Sequence, residues 1–269
     1  MAYPGSADAP AAVVDGISFD VAPGESVGVV GASGSGKTTL ALSILGLLPA
    51  AARIVRGSIA LRGRELLGLP EKALLGLRGA ELALVPQEPG IALHPLLRVG
   101  DQVAEVLRAH GSRDPRGRRE RVLALLAQVG LDEPERLARA YPHELSGGQQ
   151  QRVTIAQAIA CAPSLLVADE PTSALDPTTR AEVLALLREL KQRLSLSLLL
   201  VTHDLGTLAA VADRVLVMSA GRIVEEGPLV RVCREPAHPA TRALLAAVPR
   251  PRAPGEPRTL PVAGDAHAG

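Results

Sequence analysis

The stretch Gly31-Ala-Ser-Gly-Ser-Gly-Lys37-Thr38 lies between two apolar segments of the chain. Residues 26–30 have the length and apolar character of a buried strand, and residues 40–48 carry apolar side chains at helical spacing. A glycine-rich turn between a strand and a helix lets successive backbone N–H groups converge on phosphate oxygens, and the helix N-terminus adds partial positive charge. The stretch therefore predicts an α/β fold built around a phosphate-binding loop.

Two side chains at the end of this loop suit a nucleotide triphosphate bound with magnesium. Lys37 is placed to reach the terminal phosphates, and the Thr38 hydroxyl is placed to ligate Mg²⁺. The alternative is a strand–helix turn that binds nothing, which is less favoured once a lysine and a threonine follow in this order. The residues expected to contact the nucleotide here are Gly31, Ala32, Ser33, Gly34, Ser35, Gly36, Lys37 and Thr38.

The composition of the chain bounds the other possibilities. Its 269 residues suffice for one large α/β core with a smaller module, and the formal net charge of +1 indicates neither nucleic-acid binding nor a polyanionic partner. Cys161 and Cys233 are far apart, which disfavours a disulfide framework and fits a reducing cytosol. Because the sequence has no apolar run of about 18 residues, we expect no membrane span.

Strand and helix signals alternate along the chain. Strands are expected at residues 13–21, 26–30, 81–86, 165–168, 198–202 and 215–218, the last forming a hairpin with 222–226. Helical patterns occupy residues 101–110, 118–129, 133–140, 149–161 and 178–194. This alternation predicts a mostly parallel sheet with crossover helices and antiparallel strands at its edges.

The helical patterns in the middle of the chain indicate a module inserted into the α/β core. We expect residues 1–97 to form the first part of the nucleotide-binding core and residues 98–162 to form the helical subdomain. Residues 163–234 complete the core, and residues 235–269 are rich in proline and are expected to form an irregular C-terminal tail.

An unbroken apolar segment, residues 165–168, runs into Asp169 and Glu170. Such a segment suits a parallel strand buried on both faces, so the two carboxylates emerge at the carboxyl edge of the sheet, where open α/β sheets bind ligands. We expect Asp169 to hold Mg²⁺ through water, and Glu170 to orient and deprotonate the attacking water. A simple pair of acids at a strand end is the alternative, and the preceding buried strand disfavours it.

A second glycine-containing turn, residues 146–149, precedes another helical pattern. In one interpretation it is a capping box; in the other it is an anion site at a helix N-terminus. One chain has no evident use for two such sites on one triphosphate. A head-to-tail dimer does, since each ATP would then lie between the phosphate loop of one subunit and this turn of the other. The residues expected to contact the nucleotide in this turn are Ser146, Gly147, Gly148 and Gln149.

Taken together, these segments resemble the ATP-binding subunits of ABC transporters. The matching motifs, in chain order, are Walker A at residues 31–38, the Q-loop at Gln87, the signature at 145–149, Walker B at 165–170, the D-loop at 173–176 and the switch histidine at His203. The resemblance covers nearly the whole chain and follows the family's order. It implies an ABC-type P-loop NTPase fold that hydrolyses ATP with Mg²⁺.

The same resemblance implies roles for residues that composition and spacing alone leave open. Gln87 would ligate Mg²⁺ and sense the γ-phosphate, and His203 would hydrogen-bond that phosphate and align the attacking water. Asp176 would reach across the dimer to the partner's phosphate loop. An aromatic side chain near the N-terminus is expected to stack on adenine, and Tyr3 is the candidate because Phe19 falls inside a predicted strand.

Residues 87–102, 141–144 and 235–249 resemble more narrowly the importers for oligopeptides, dipeptides and nickel. This narrower resemblance implies a second ABC ATPase subunit, identical or similar, and two transmembrane permease subunits. It also implies an extracytoplasmic substrate-binding protein. The chain would then be a peripheral motor subunit at the cytoplasmic face of the cell membrane.

The alternative function is that of a soluble ABC-type ATPase that is not coupled to transport. Such a protein would act on nucleic acid, on the ribosome, or within a complex such as one for phosphonate metabolism. The near-zero net charge disfavours the nucleic-acid version, and the importer-like residues 87–102 disfavour the others.

Overall fold

The structure is a computed structural model, and it describes residues 13–248. The strands are β1 (Ser26–Gly31), β2 (Ala60–Leu61), β3 (Arg64–Glu65), β4 (Leu82–Val85), β5 (Leu165–Asp169), β6 (Ser197–Thr202), β7 (Arg214–Ser219) and β8 (Arg222–Pro228). The helices are α1 (Lys37–Ile44), α2 (Glu71–Leu77), α3 (Pro89–Ala92), α4 (Val99–Ala109), α5 (Pro115–Gln128), α6 (Pro134–Leu137), α7 (Gly147–Ile159), α8 (Pro177–Leu194), α9 (Leu205–Ala209), α10 (Leu229–Arg234) and α11 (Pro239–Ala247), with a 3₁₀ turn at Pro142–Glu144.

The main sheet has the strand order β4-β5-β6-β1-β7-β8. Neighbouring strands from β4 to β7 run parallel, and β8 pairs antiparallel with β7 at one edge. The short strands β2 and β3 form a separate antiparallel hairpin. The prediction of a mostly parallel α/β sheet with antiparallel strands at its edges is confirmed.

Apolar side chains cover both faces of this sheet. Successive residues of β6 enter different cores, because strand side chains alternate between faces: Leu198 joins one cluster and Leu199 the other. The cluster around Leu199 includes Leu40 of α1, whereas the cluster around Leu198 includes buried residues of α4, α5, α7 and α8. Strands buried on both faces are what the continuous apolar segments of the sequence predict.

The chain between β4 and β5 holds α3, α4, α5, α6, α7 and the 3₁₀ turn, and no strand. Asp114 caps α5, since its carboxylate accepts the backbone N–H groups of Arg116 and Gly117. Helices α4, α5 and α7 pack on one another, and α7 also contacts β4 and α8. The signature turn is thereby attached to the core through one long helix.

The strand predicted at residues 13–21 is wrong. Within the described residues, this segment forms no strand and crosses the edge of the core as an extended loop. The backbone N–H of Asp15 bonds to the oxygen of Gly221, and Phe19 is partly buried against the apolar core. The alternating apolar residues therefore report burial on one side, without the hydrogen-bond ladder that a strand needs.

The irregular tail predicted after residue 235 is wrong for α11. Pro239 occupies the first turn of that helix, where a missing N–H costs nothing, and the His238 imidazole accepts the N–H of Ala240. The Glu225 carboxylate of β8 accepts the backbone N–H groups of Ala237 and His238, which fixes the start of the helix to the sheet.

Several short elements were absent from the sequence prediction, and one helix is shorter than predicted. The missed elements are β2, β3, α2, α3, α9 and α10. Helix α6 spans only Pro134–Leu137 of the predicted 133–140. Across residues 13–248, none of the helices has both the length and the apolar character needed to cross a membrane.

Candidate active site

The glycine-rich loop leaves the carboxyl end of β1 and leads into α1. A Cβ atom at Gly31 would lie 2.3 Å from the backbone oxygen of Met218, so no larger residue fits there. Gly36, immediately before α1, has a φ of 98°, in the left-handed region that favours glycine. These glycines set the path of a tight loop at a helix N-terminus, which is the geometry that binds phosphate.

Lys37 begins α1 and is only 6% exposed. Its ammonium group donates hydrogen bonds to the backbone oxygens of Gly31 at 2.9 Å and Ala32 at 3.0 Å, so the loop wraps around a cation. Burial lowers the pKa of Lys37 from its usual value, while the negative charges of Glu170 and Asp169 act in the opposite direction. The phosphate loop and both predicted carboxylates therefore belong to one electrostatic site.

Asp169 ends β5 and is 5% exposed. The Thr38 hydroxyl donates a hydrogen bond to its Oδ1 at 3.4 Å. Burial raises the pKa of Asp169 above its usual range, and the hydrogen bond from Thr38 and the charge of Lys37 oppose that shift. A hydroxyl and a carboxylate side by side are the hard oxygen donors that suit Mg²⁺ bound jointly by protein and substrate phosphates. The residues present therefore fit a magnesium ion.

Three polar side chains converge beside this pair from the ends of adjacent parallel strands. Glu170 follows β5, His203 follows β6, and Gln87 lies shortly after β4. Glu170 Oε1 lies 3.0 Å from His203 Nδ1, and Gln87 Nε2 donates to Glu170 Oε2 at 3.4 Å. The Glu170 side chain is 16% exposed, and the His203 side chain is 57% exposed. A carboxylate held by two neighbours and open to solvent can accept a proton from water.

The backbone of Glu170 is bent to present this carboxylate. Its φ is 45°, in the left-handed region that non-glycine residues rarely occupy, at a cost of about 1–3 kcal/mol. Its N–H bonds to the oxygen of Val201 at 2.8 Å, and its own oxygen accepts both the N–H and the hydroxyl of Ser173. These hydrogen bonds hold a conformation that glutamate would otherwise avoid.

The Ser146 turn lies at the N-terminus of α7, where Ser146 and Gly147 are exposed and Gly148 and Gln149 are partly buried. Ser146 Oγ accepts the N–H of Gln149 at 3.3 Å, and Gln149 Oε1 accepts the N–H of Ser146 at 3.0 Å. The capping-box interpretation is thus confirmed, and it does not exclude the anion-site interpretation. A Cβ atom at Gly148 would lie 2.5 Å from Thr179 Cγ2, so the first turns of α7 and α8 pack closely.

Asp176 caps α8 within its own subunit. Its carboxylate accepts the N–H groups of Thr178 at 3.0 Å and Thr179 at 3.1 Å. Hydrogen bonding from Thr179, first through its side chain and then through its backbone, lowers the pKa of the exposed Asp176. Its contact with a partner's phosphate loop stays a prediction.

The predicted site residues form two groups in the structure, and one predicted residue lies outside the part of the chain that the structure describes. The phosphate loop, Gln87, Asp169, Glu170 and His203 meet at the carboxyl edge of the sheet. Residues 146–149 and Asp176 lie at the adjoining starts of α7 and α8. Tyr3 lies outside the described residues.

The sequence interpretation missed residues behind the Glu170–His203 pair. A cavity of about 40 Å³ there is lined by both of these side chains and also by Arg180, Asp204 and Thr207. The direct adjacency of Asp204 to the switch histidine was the available signal. Nothing in the sequence pattern connected Arg180 to the site.

The fold and the site together define a P-loop nucleotide hydrolase. A glycine-rich loop enters a helix after a central strand, a threonine–aspartate pair lies beside its lysine, and a solvent-accessible glutamate follows the aspartate.

The chain belongs to the ABC transporter family, whose model matches residues 14–173. The dipeptide transport ATP-binding protein DppD of Haemophilus influenzae is 46% identical over 91% of this chain and 74% of its own length. The peptidoglycan transport ATP-binding protein YejF of Agrobacterium fabrum is 49% identical over 93% of this chain, which spans 46% of that longer protein.

A solved structure agrees with this assignment. It is a dimeric ATP-binding cassette in a post-hydrolysis state bound to ADP and phosphate, with a TM-score of 0.75 and 30% identity. The match covers 85% of this chain and 95% of that one. The fold prediction, an ABC-type P-loop ATPase, is confirmed.

Proposed function

We propose that this chain is the ATP-hydrolysing motor subunit of an ABC importer, with peptides as the transported class. The resemblance of residues 87–102 points to peptide or nickel importers, and the relatives named for dipeptide and peptidoglycan transport favour peptides. The single observation that carries the motor assignment is the carboxylate of Glu170, held between His203 and Gln87 beside the phosphate loop.

In the proposed reaction, Glu170 takes the proton of the attacking water. As an imidazolium, which has an N–H on each ring nitrogen, His203 would donate to the Glu170 carboxylate through Nδ1 and to the γ-phosphate through its other ring nitrogen. The Lys37 ammonium and the backbone N–H groups of residues 31–38 stabilise charge on the terminal phosphates.

Magnesium is the second ligand that we propose for this site. Thr38 and Asp169 would hold it, and Gln87 would complete the set when the nucleotide is present. When bound, the ion would supply positive charge that offsets the charge of the terminal phosphates. The burial of Asp169 makes its carboxylate costly to ionise alone, and a cation beside it would offset that cost.

We also propose a head-to-tail dimer with an identical or similar ABC subunit. The exposed Ser146 turn presents backbone N–H groups at the start of α7, apart from the chain's own phosphate loop. A symmetric partner would supply the same turn to this chain's ATP, with Asp176 reaching toward the opposite loop. The dimeric state of the structural neighbour supports this arrangement.

An exposed apolar segment between β4 and α4 is the proposed contact with the permeases. Ile91 is 80% exposed, Leu96 77% and Leu97 48%, and all three follow Gln87 in the chain. Exposed apolar side chains grouped in this way mark an interaction surface. A permease helix seated there would sense movement of the Q-loop, and so link hydrolysis to transport.

This proposal assigns residues 98–162 as the helical module that carries the signature turn. Residues 1–97, which include the proposed permease contact, and residues 163–234 form the core, and residues 235–269 form the tail. Two permeases and an extracytoplasmic binding protein would complete the assembly. The chain would be peripheral at the cytoplasmic face of the membrane, without a nucleic-acid partner.

Affinity purification of the tagged full chain from detergent-solubilised membranes tests the proposal. Two permease subunits should copurify, and the Ile91→Glu/Leu96→Glu variant should lose them while keeping ATP binding. A matched Val55→Glu variant, at an exposed valine in another part of the chain, should retain them. Recovery of ribosomes or a soluble enzyme complex in place of permeases would support the non-transport alternative.

A further inference from the structure

We infer that Arg180 is a positioning residue that ties the loop after β5 to the Glu170–His203 pair. The inference rests on the proposed roles of that pair and adds a new residue to them. Arg180 lies in the first turns of α8, and its N–H bonds to the backbone oxygen of Asp176 at 2.9 Å. It therefore moves with the loop that faces the proposed partner subunit.

The guanidinium of Arg180 contacts two different loops. Its Nη2 donates to the backbone oxygen of Leu175 at 3.4 Å, and its Nη1 lies 4.0 Å from Asp204 Oδ2. Leu175 directly precedes Asp176, and Asp204 directly follows His203. One side chain thus contacts both the loop after β5, which begins with Glu170, and the loop after β6, which begins with His203.

Asp204 is a firm attachment point for this bridge. Its carboxylate accepts the N–H of Gly206 at 2.8 Å and the hydroxyl of Thr207 at 3.0 Å. Its own N–H donates to the Thr202 hydroxyl at 3.1 Å. Because Asp204 directly follows His203, its contact with Arg180 would restrain the backbone next to the histidine.

Arg180 also lines two neighbouring cavities. It lines the cavity of about 40 Å³ beside Glu170 and His203, which has room for one water molecule. It also lines a groove of about 380 Å³ between α8 and α9 that opens to solvent. Arg188, two turns further along α8, lines only the groove. The two arginines therefore differ in their access to the reacting groups.

The Nε–H of Arg180 is buried without a hydrogen-bond partner among residues 13–248. The polar contacts that orient the rest of the guanidinium are those with Leu175 and Asp204.

Kinetics of the full-length chain test this role. Arg180→Ala should lower kcat for ATP about 10–100-fold through misalignment of Glu170 and His203, with KM unchanged because the phosphate loop is intact. Arg180→Lys should recover part of the loss, and Arg188→Ala should match the wild type. Asp204→Asn, which keeps the helix cap, should show a loss that is not additive with Arg180→Ala.

A measurement without turnover completes the test. Imidazole ¹⁵N NMR of the nucleotide-free chain, with His203 assigned by His203→Gln, should show the His203 signal shifted in Arg180→Ala and unshifted in Arg188→Ala. Unchanged His203 signals, or kcat and KM altered alike in Arg180→Ala and Arg188→Ala, would overturn the inference. Normal turnover in Glu170→Gln would instead overturn the proposed active site itself.

Discussion

Two glycine-containing turns begin helices in this molecule, and their surroundings differ. The phosphate loop encloses Lys37 at 6% exposure and borders two carboxylates at the edge of the parallel sheet. In the Ser146 turn, Ser146 and Gly147 are exposed, and the capping box satisfies the N–H groups of Ser146 and Gln149 but does not include those of Gly147 and Gly148. One chain assembles the site around the first turn, whereas we propose that the second turn meets its ligand only when a partner subunit brings it. Both turns contain glycines, so the difference between them comes from the strand ends that place carboxylates beside the phosphate loop.

The largest loss of ATP turnover is expected from changes to the carboxylates, which lie beside the phosphate loop and not beside the Ser146 turn. Glu170→Gln should lower ATP turnover about 10²–10⁴-fold because the proposed general base is lost, while ATP affinity is retained. ATP should then trap a closed dimer, visible by size-exclusion chromatography. Glu189→Gln, at an exposed acid paired with Arg193, is the matched control and should hydrolyse normally. A monomeric elution volume of Glu170→Gln in ATP would contradict the assignment.

The next effect concerns the cation inside the phosphate loop. Lys37→Ala should weaken ATP binding about 10–100-fold, which corresponds to the loss of charged hydrogen bonds of about 1.5–3 kcal/mol. Isothermal calorimetry measures the affinity directly. Lys72→Ala, at an exposed lysine on α2, should bind ATP as the wild type does. Equal affinities in the two variants would remove the distinction between the turns.

Variants of the Ser146 turn separate its two interpretations. Ser146→Ala should lower helix stability by about 1 kcal/mol, whereas Ser146→Asn keeps a good N-cap. Both should bind ATP normally as monomers and hydrolyse it about tenfold more slowly, since about 1.4 kcal/mol of contact from the partner is lost. Thermal unfolding and turnover, measured together, resolve the roles. Full ATP turnover in both variants would contradict the anion-site interpretation and leave the capping box as the only role of Ser146.

The smallest effect is a change in stability at Asp169, the proposed magnesium ligand. Burial raises the folded pKa of Asp169 above its ordinary value, so the folded chain holds that proton more tightly than the unfolded chain. The resulting stabilisation is present at low pH and is lost as the pH rises through the folded pKa. Neutral Asp169→Asn should therefore raise the Tm of the nucleotide-free chain at pH 7 by about 2–4 °C if about 1 kcal/mol is regained.

Two controls bound this result. Asp132→Asn, at an exposed aspartate, should leave the Tm unchanged. Asp169→Asn should also need more Mg²⁺ for the same rate of hydrolysis. A lower Tm in Asp169→Asn would show that the ionised carboxylate stabilises the site.

The sequence predicts the central strands and the phosphate loop well because continuous burial and glycine placement are local properties. The segment 13–21 shows where this fails: its apolar alternation reflects packing of one side against the core, while pairing depends on distant strands. In α11, a proline read as a helix breaker occupies the one turn that tolerates it.

Long-range geometry accounts for the remaining gaps in the site prediction. The contact between Arg180 and Asp204 joins two loops across the sheet edge, and no periodicity reports it. The pairing of His203 with Glu170 could be named only through family resemblance, since neither residue's neighbours in the chain indicate the other.

The left-handed backbone of Glu170 places folding stability and chemistry in opposition at one position. Glycine would adopt that φ freely, so Glu170→Gly should relieve the local strain while deleting the proton acceptor. Selection of substitutions by thermal stability alone would favour this change and would yield a protein with a higher Tm that does not hydrolyse ATP. At position 170, the residue that the proposed reaction needs therefore differs from the residue that thermal stability favours.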